Sequence, residues 1–221
     1  MMGLHKWAFS ELDDRISRQR PTEVAQDLVA LFVKACEDYQ HKSALQYFSR
    51  EGVEVTYTYG DLWRAALAVA HSIKRLGLGS GDRALLLGPN EPAWPMLYFG
   101  LLIADLTVVP VDHEMSNHEV AKICESAQAK LIVHHEEWGE LGAESLESYQ
   151  HMTWGDCLDE SPLPEDKLRL KDRSEQVASL LFTSGTTGTP KGVMLSHENF
   201  CSLVANLHQV FKVSHRDRFL S

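Results

Sequence analysis

The sequence predicts an α/β domain, with a mostly parallel sheet covered by helices on both faces. Three observations carry that expectation. Between residues 83 and 134, short apolar runs alternate with longer stretches of helical character. The runs are continuously apolar, as strands buried on both faces must be. Each pair is separated by enough chain for a crossover helix, which parallel strands require.

The elements follow in order. Residues 1–21 read as a polar leader and residues 22–221 as one domain. Pro21-Thr22-Glu23 marks a helix start, after which Val24, Leu28, Leu31, Phe32, Ala35 and Tyr39 recur at helical spacing. Residues 44–48 and 53–59 read as strands around the turn Ser49-Arg50-Glu51-Gly52. Asp61 then caps a helix with Leu62, Ala66, Val69, Ala70, Ile73 and Leu76 on its apolar face, closed by Gly77.

Two βαβ units come next: strand 83–87, helix 93–104, strand 107–111, helix 116–128 and strand 130–134. The stretch 93–111 is nearly long enough to cross a bilayer. Asp105 interrupts it, however, and Pro95 and Pro110 bracket it, so it reads as a buried helix running into a buried strand. Residues 135–176 are acidic and turn-rich, an irregular connection with one or two short elements. A strand at 177–182, a Gly/Thr-rich loop and a helix from Ser196 follow, the helix aligning Phe200, Leu203, Val204, Leu207 and Phe211. Residues 215–221 read as the start of a further strand, so the chain reads as an N-terminal fragment of a longer one.

Composition narrows the function. The 221 residues carry a formal net charge of −10, which disfavours nucleic acid or anionic lipid as partners. Four cysteines stand far apart with no CxxC pair, which fits a reducing, cytoplasmic location better than a disulfide framework or zinc ribbon. There is no apolar leader of the secretory kind. His113 and His118 imitate a zincin motif one residue too long, which turns them about 140° apart on a helix. Cys124, Cys201, Trp94 and Tyr98 read as core. His197 reads as structural, with a nucleotide contact as the alternative.

The segment FTSGTTGTPKG, residues 182–192, carries the chemistry. Glycines let successive backbone N–H groups converge on a phosphate. Thr183, Ser184, Thr186, Thr187 and Thr189 add hydroxyls, and Lys191 adds a charge for the distal phosphates. It is not a Walker A loop, because Pro190 stands where the glycine before the lysine is required.

LLFTSGTTGTPKGVMLSHENF resembles the signature loop of the adenylate-forming superfamily of acyl-CoA synthetases, luciferases and peptide-synthetase adenylation domains. Thr58-Tyr59-Gly60-Asp61-Leu62, Gly79-x-Gly81-Asp82-Arg83, Asn90-Glu91-Pro92-x-Trp94, Val109-Pro110 and Ala129-Lys130 resemble further motifs of that family, in the expected order. Two positions depart from it: Asp61 stands where Glu is commoner, and Ala104-Asp105-Leu106-Thr107 replaces a turn of small residues.

The resemblance implies the N-terminal part of the family's large domain. It also implies a two-step reaction in which ATP and a carboxylic acid form an acyl-adenylate, and coenzyme A or an acyl carrier protein takes the acyl group. Thr183, Ser184, Gly185, Thr186, Thr187, Gly188 and Lys191 would grip the ATP phosphates, with Mg²⁺ sharing the charge. No complete catalytic set and no metal ligand falls within these residues, so the chain alone is expected to be inactive. Fatty acids are the first expectation for the acid. Amino or aryl acids, and a non-catalytic scaffold, are the alternatives. Self-association through an exposed apolar face is expected.

Overall fold

The computed structural model describes residues 27–49, 51–138, 146–164, 171–183, 191–211 and 217–220. A small antiparallel hairpin, β1 (Ser43–Phe48) and β2 (Glu54–Thr58), stands apart from a six-stranded sheet. That sheet is built from β3 (Arg83–Leu87), β4 (Thr107–Val111), β5 (Ala129–His134), β6 (Gln150–Thr153), β7 (Val177–Thr183) and β8 (Lys191–Ser196), in the order β6-β5-β3-β4-β7-β8. All neighbours run parallel except β7 and β8. The helices are α1 (Leu28–Tyr39), α2 (Tyr59–Lys74), α3 (Ala93–Ile103), α4 (Asn117–Ala127), α5 (Trp154–Leu158) and α6 (His197–Val210).

The continuous apolar runs are explained by the two cores. Ala84, Leu86, Val108, Leu131 and Val133 face α1, α2 and α3, while Leu85, Leu87, Val109, Val111 and Ile132 face α4. Successive strand residues point to opposite faces, so both faces need apolar side chains. The apolar stretch at 93–111 divides as expected, into α3 and β4. Among the described residues no helix is long and apolar enough to cross a membrane.

The motifs upstream of the loop prove to be closures between elements. Thr58 caps α2 and Asp61 completes a capping box, with its Oδ2 accepting the Thr58 N–H at 2.8 Å. The sequence reading made Asp61 the cap itself; the helix starts three residues earlier because Thr58 fills that place, and Asp is long enough for the return bond. Asp82 takes the Gly79 N–H at 2.7 Å and meets Lys130 Nζ at 2.7 Å. Arg83 donates to the carbonyls of Ala127 and Gln128 at 2.8 and 2.7 Å, closing the end of α4.

The Lys130 hydrogen bond, together with the Gly79 N–H and against the pull of burial, holds the Asp82 carboxyl below its ordinary value. A lowered folded value stabilises above the unfolded value of about 3.9 and is lost as pH falls through the folded one. Lys130 is half-exposed, so the bridge contributes only about 1 kcal/mol at neutral pH. The urea midpoint of the wild type should therefore fall more steeply between pH 5 and 3 than that of Asp82→Asn. Parallel curves would remove the bridge from the account.

The short elements expected within 135–176 include a fifth parallel strand, β6, and the short α5, whose types its polar composition concealed. Two other expectations change. A strand, β8, intervenes between the loop and the last helix, because residues 191–196 pair antiparallel with β7. The face of α6 aligned by its periodicity is turned mostly outward: Leu203, Val204, Leu207 and Phe211 are exposed, and His197 and Cys201 are the buried pair. The helix start read at Pro21-Thr22-Glu23 lies outside the described residues; α1 begins at Leu28, capped by Asp27 through the Val29 N–H at 2.8 Å.

Candidate phosphate-binding site

Strands β3, β4, β5 and β7 run parallel, so their carboxyl ends share one edge of the sheet, the edge at which open α/β sheets bind ligands. Thr183 ends β7 on that edge, and Lys191 begins β8 directly opposite it as its register partner. Both side chains are exposed. Residues 184–190 join the two along the chain. Ser184, Gly185, Thr186, Thr187 and Gly188 lie outside the described residues. The structure therefore brings Thr183 and Lys191 together as the two posts of the loop.

The hairpin approaches itself closely at Gly192. A Cβ there would come within 2.9 Å of Leu180 Cδ1 and 3.2 Å of Phe182 Cζ. The glycine after the lysine thus lets β8 lie flat on β7 and keeps the loop posts paired.

A charged network fixes the opposite, amino-terminal end of the hairpin. Arg173, which is 2% exposed, donates through Nε to Asp105 Oδ1 at 2.6 Å and through Nη1 to Asp27 Oδ2 at 3.3 Å. Lys171 Nζ stands 2.8 Å from Asp105 Oδ2. His197, the first residue of α6, is equally buried; its Nδ1 lies 3.3 Å from the Leu28 N and 3.2 Å from Asp27 Oδ1. Burial raises the Asp27 carboxyl, but hydrogen bonds from His197 and the Val29 N–H, with the charge of Arg173, bring it below its ordinary value. His197 is thus structural, as the sequence reading had it.

The network accounts for the unusual turn. Asp105 has φ +70° and occupies the residue after Ala104, the C-cap of α3, where glycine is usual, with the Leu106 N–H on the Leu101 carbonyl and the Asp105 N–H on that of Leu102. Glycine would be easier there. Asp offsets the strain with two cations. Arg173 escaped the sequence reading because it sits in the polar connection; the signal was Asp105 itself, a charge breaking an apolar run and requiring a partner.

The other candidates carry no chemistry. Cys36, Cys124 and Cys157 are buried and their thiols pushed up to about 12; Cys201 is pushed up to about 11. None is a ready nucleophile. Among the described residues no group of three or more His, Cys, Asp or Glu can hold a metal ion, and His113 and His118 stand exposed.

A mostly parallel sheet covered by helices on both faces, with a hairpin at its carboxyl edge, defines an open-sheet α/β class of protein. The comparisons make this particular: a family model described as AMP-binding enzyme matches residues 32–221, and the chain belongs to that family. It is 30% identical over 185 residues to the crotonobetaine/carnitine–CoA ligase of Escherichia fergusonii, covering 73% of this chain and 34% of the relative. It is also 30% identical over 159 residues to the fatty acid–[acyl-carrier-protein] ligase ScoC of Streptomyces coeruleorubidus, covering 67% and 30%. Its fold matches McyG A-PCP complexed with phenylalanyl-adenylate (TM-score 0.72, 24% identity, 85% of this chain and 30% of that one). It matches the fatty acyl-adenylate ligase from L. pneumophila in complex with acyl adenylate and pyrophosphate likewise (TM-score 0.66, 23% identity, 85% and 33%). The chain spans about a third of the length of these curated relatives.

Proposed function

We propose that this chain is the ATP phosphate-gripping portion of an acid–thiol ligase that activates a carboxylic acid as its acyl-adenylate. The observation that carries the reading is the β7–β8 hairpin, with Thr183 and Lys191 paired across the Gly/Thr loop at the sheet's carboxyl edge. Converging N–H groups, hydroxyls and one ammonium suit a pyrophosphate leaving group, where negative charge accumulates. Lys191 holds that charge, and the loop orients the chain of phosphates.

Mg²⁺ would be carried on the phosphates, since the described residues offer no ligand set of their own. Fatty acid is the substrate class favoured here. One relative is named for a fatty acid and a carrier protein, the other for CoA, so the acceptor is coenzyme A or a carrier protein. The exposed strip of Leu203, Val204, Leu207 and Phe211 is the surface on which self-association of this chain would occur.

The reading is tested by binding and by turnover. Inorganic tripolyphosphate should bind the chain, and Lys191→Ala should weaken that binding about tenfold. Binding indifferent to Lys191 would remove the hairpin from the site. In a pyrophosphate-exchange assay with a panel of fatty acids the chain alone should show no acid-dependent turnover; turnover would show that it contains a complete catalytic set.

A further inference from the structure

The β7–β8 hairpin joins the rest of the sheet through β4. Its two strands pair from Val177–Ser196 to Thr183–Lys191, with one irregularity between Val177 and Ser179. Towards the sheet, β7 runs parallel to β4, with Val108 opposite Ser179. Two side chains tie β7 to the sheet around that irregularity. Thr107 Oγ1 donates to the Val177 carbonyl at 2.8 Å, and the Tyr98 hydroxyl shares a 2.7 Å hydrogen bond with Ser179 Oγ. Tyr98, Thr107 and Ser179 are all buried, so breaking either bond leaves polar atoms without water to replace it.

We propose that Tyr98 and Thr107 are positioning residues for the phosphate-binding hairpin: their hydrogen bonds hold β7 in register on β4 and so set where Thr183 and Lys191 stand. Tyr98 reaches β7 from α3, and Thr107 from the start of β4. Both act on the first half of β7, before the loop. A slip of one residue there would turn every β7 side chain to the other face and carry Thr183 away from the phosphates. The inference rests on the phosphate-binding reading above.

The test compares the wild type with Tyr98→Phe, Thr107→Val and Thr107→Ser. Calorimetry measures inorganic tripolyphosphate binding, hydrogen exchange measures strand protection, and thermal midpoints measure global stability. Tyr98→Phe and Thr107→Val should each weaken binding about 3- to 10-fold. Both should speed exchange in residues 177–183 and 191–196 while 83–87 keep their protection. Thr107→Ser should restore the affinity. Unchanged affinity in both variants beside a binding wild type overturns the positioning role and leaves the phosphate reading standing. Equal loss of protection in all strands, with the folded fraction binding normally, also overturns it. A wild type that does not bind tripolyphosphate takes down the phosphate reading and this inference together. Because the two hydrogen bonds come from different elements, either variant decides the matter if the other does not fold.

Discussion

Replacing Arg173 by Met should lower the stability of this chain by about 3 kcal/mol. Arg173 lies between two carboxylates, at 2.6 Å from Asp105 and 3.3 Å from Asp27, and its side chain is 2% exposed. Methionine fills a similar volume but leaves both acids without their shared cation. Removing one member of a buried ion pair costs about 3–5 kcal/mol, since the partner's charge stays buried. The lower end applies because Lys171 still faces Asp105 at 2.8 Å, and the Asp105 side chain is 26% exposed. For a chain of this size the thermal midpoint should drop about 6–12 °C. Arg173→Lys keeps the charge but loses the fork, and should fall between. A drop under about 2 °C for Arg173→Met would show that the network is not what holds α1, the Asp105 turn and α6 together.

The second large effect is expected at the crossing of α2 and α3. Gly100 faces Val69 and Ala66, both fully buried. A Cβ at residue 100 would overlap Val69 Cβ, stand 2.6 Å from Val69 Cγ1 and 2.8 Å from the Ala66 carbonyl oxygen. Neither a β-carbon nor a main-chain oxygen can rotate aside, so the helices must separate. Gly100→Ala gains about 1 kcal/mol of helix propensity. It loses about 3 kcal/mol to overpacking, at the upper end of the usual range. The net loss of about 2 kcal/mol should lower the thermal midpoint by about 4–8 °C. Gly77→Ala is the control: φ there is +70° and no atom lies within 4 Å of the added carbon, so only the backbone term acts. A Gly100→Ala midpoint equal to or above that of the wild type would refute the close crossing.

Much of the architecture was legible because a parallel sheet leaves a strong imprint. Strands β3, β4 and β5 read correctly since both of their faces are buried, and α2 and α4 read correctly from their apolar stripes. β6 was hidden for the converse reason. It lies at the sheet's edge, none of its residues Gln150, His151, Met152 and Thr153 is fully buried, and no apolar run marks it. β8 was hidden by its neighbour: beside a glycine-rich loop, the residues from Lys191 to Ser196 read as the loop's continuation until Val177 to Thr183 were seen to pair with them.

At the site, sequence alone singled out the loop and its lysine as candidates and suggested the kind of ligand they suit, because glycine, hydroxyl and ammonium groups carry their chemistry wherever they fold. Sequence alone also marked the turn at Asp105 as out of place. Tertiary structure decided the rest: that Lys191 faces Thr183 across a hairpin, that Arg173 answers Asp105 from a distant polar segment, and that Tyr98 and Thr107 join the hairpin to the sheet. These are contacts between residues far apart in the chain, and local pattern cannot report them. Periodicity records which face of an element is buried, and only packing records what it is buried against.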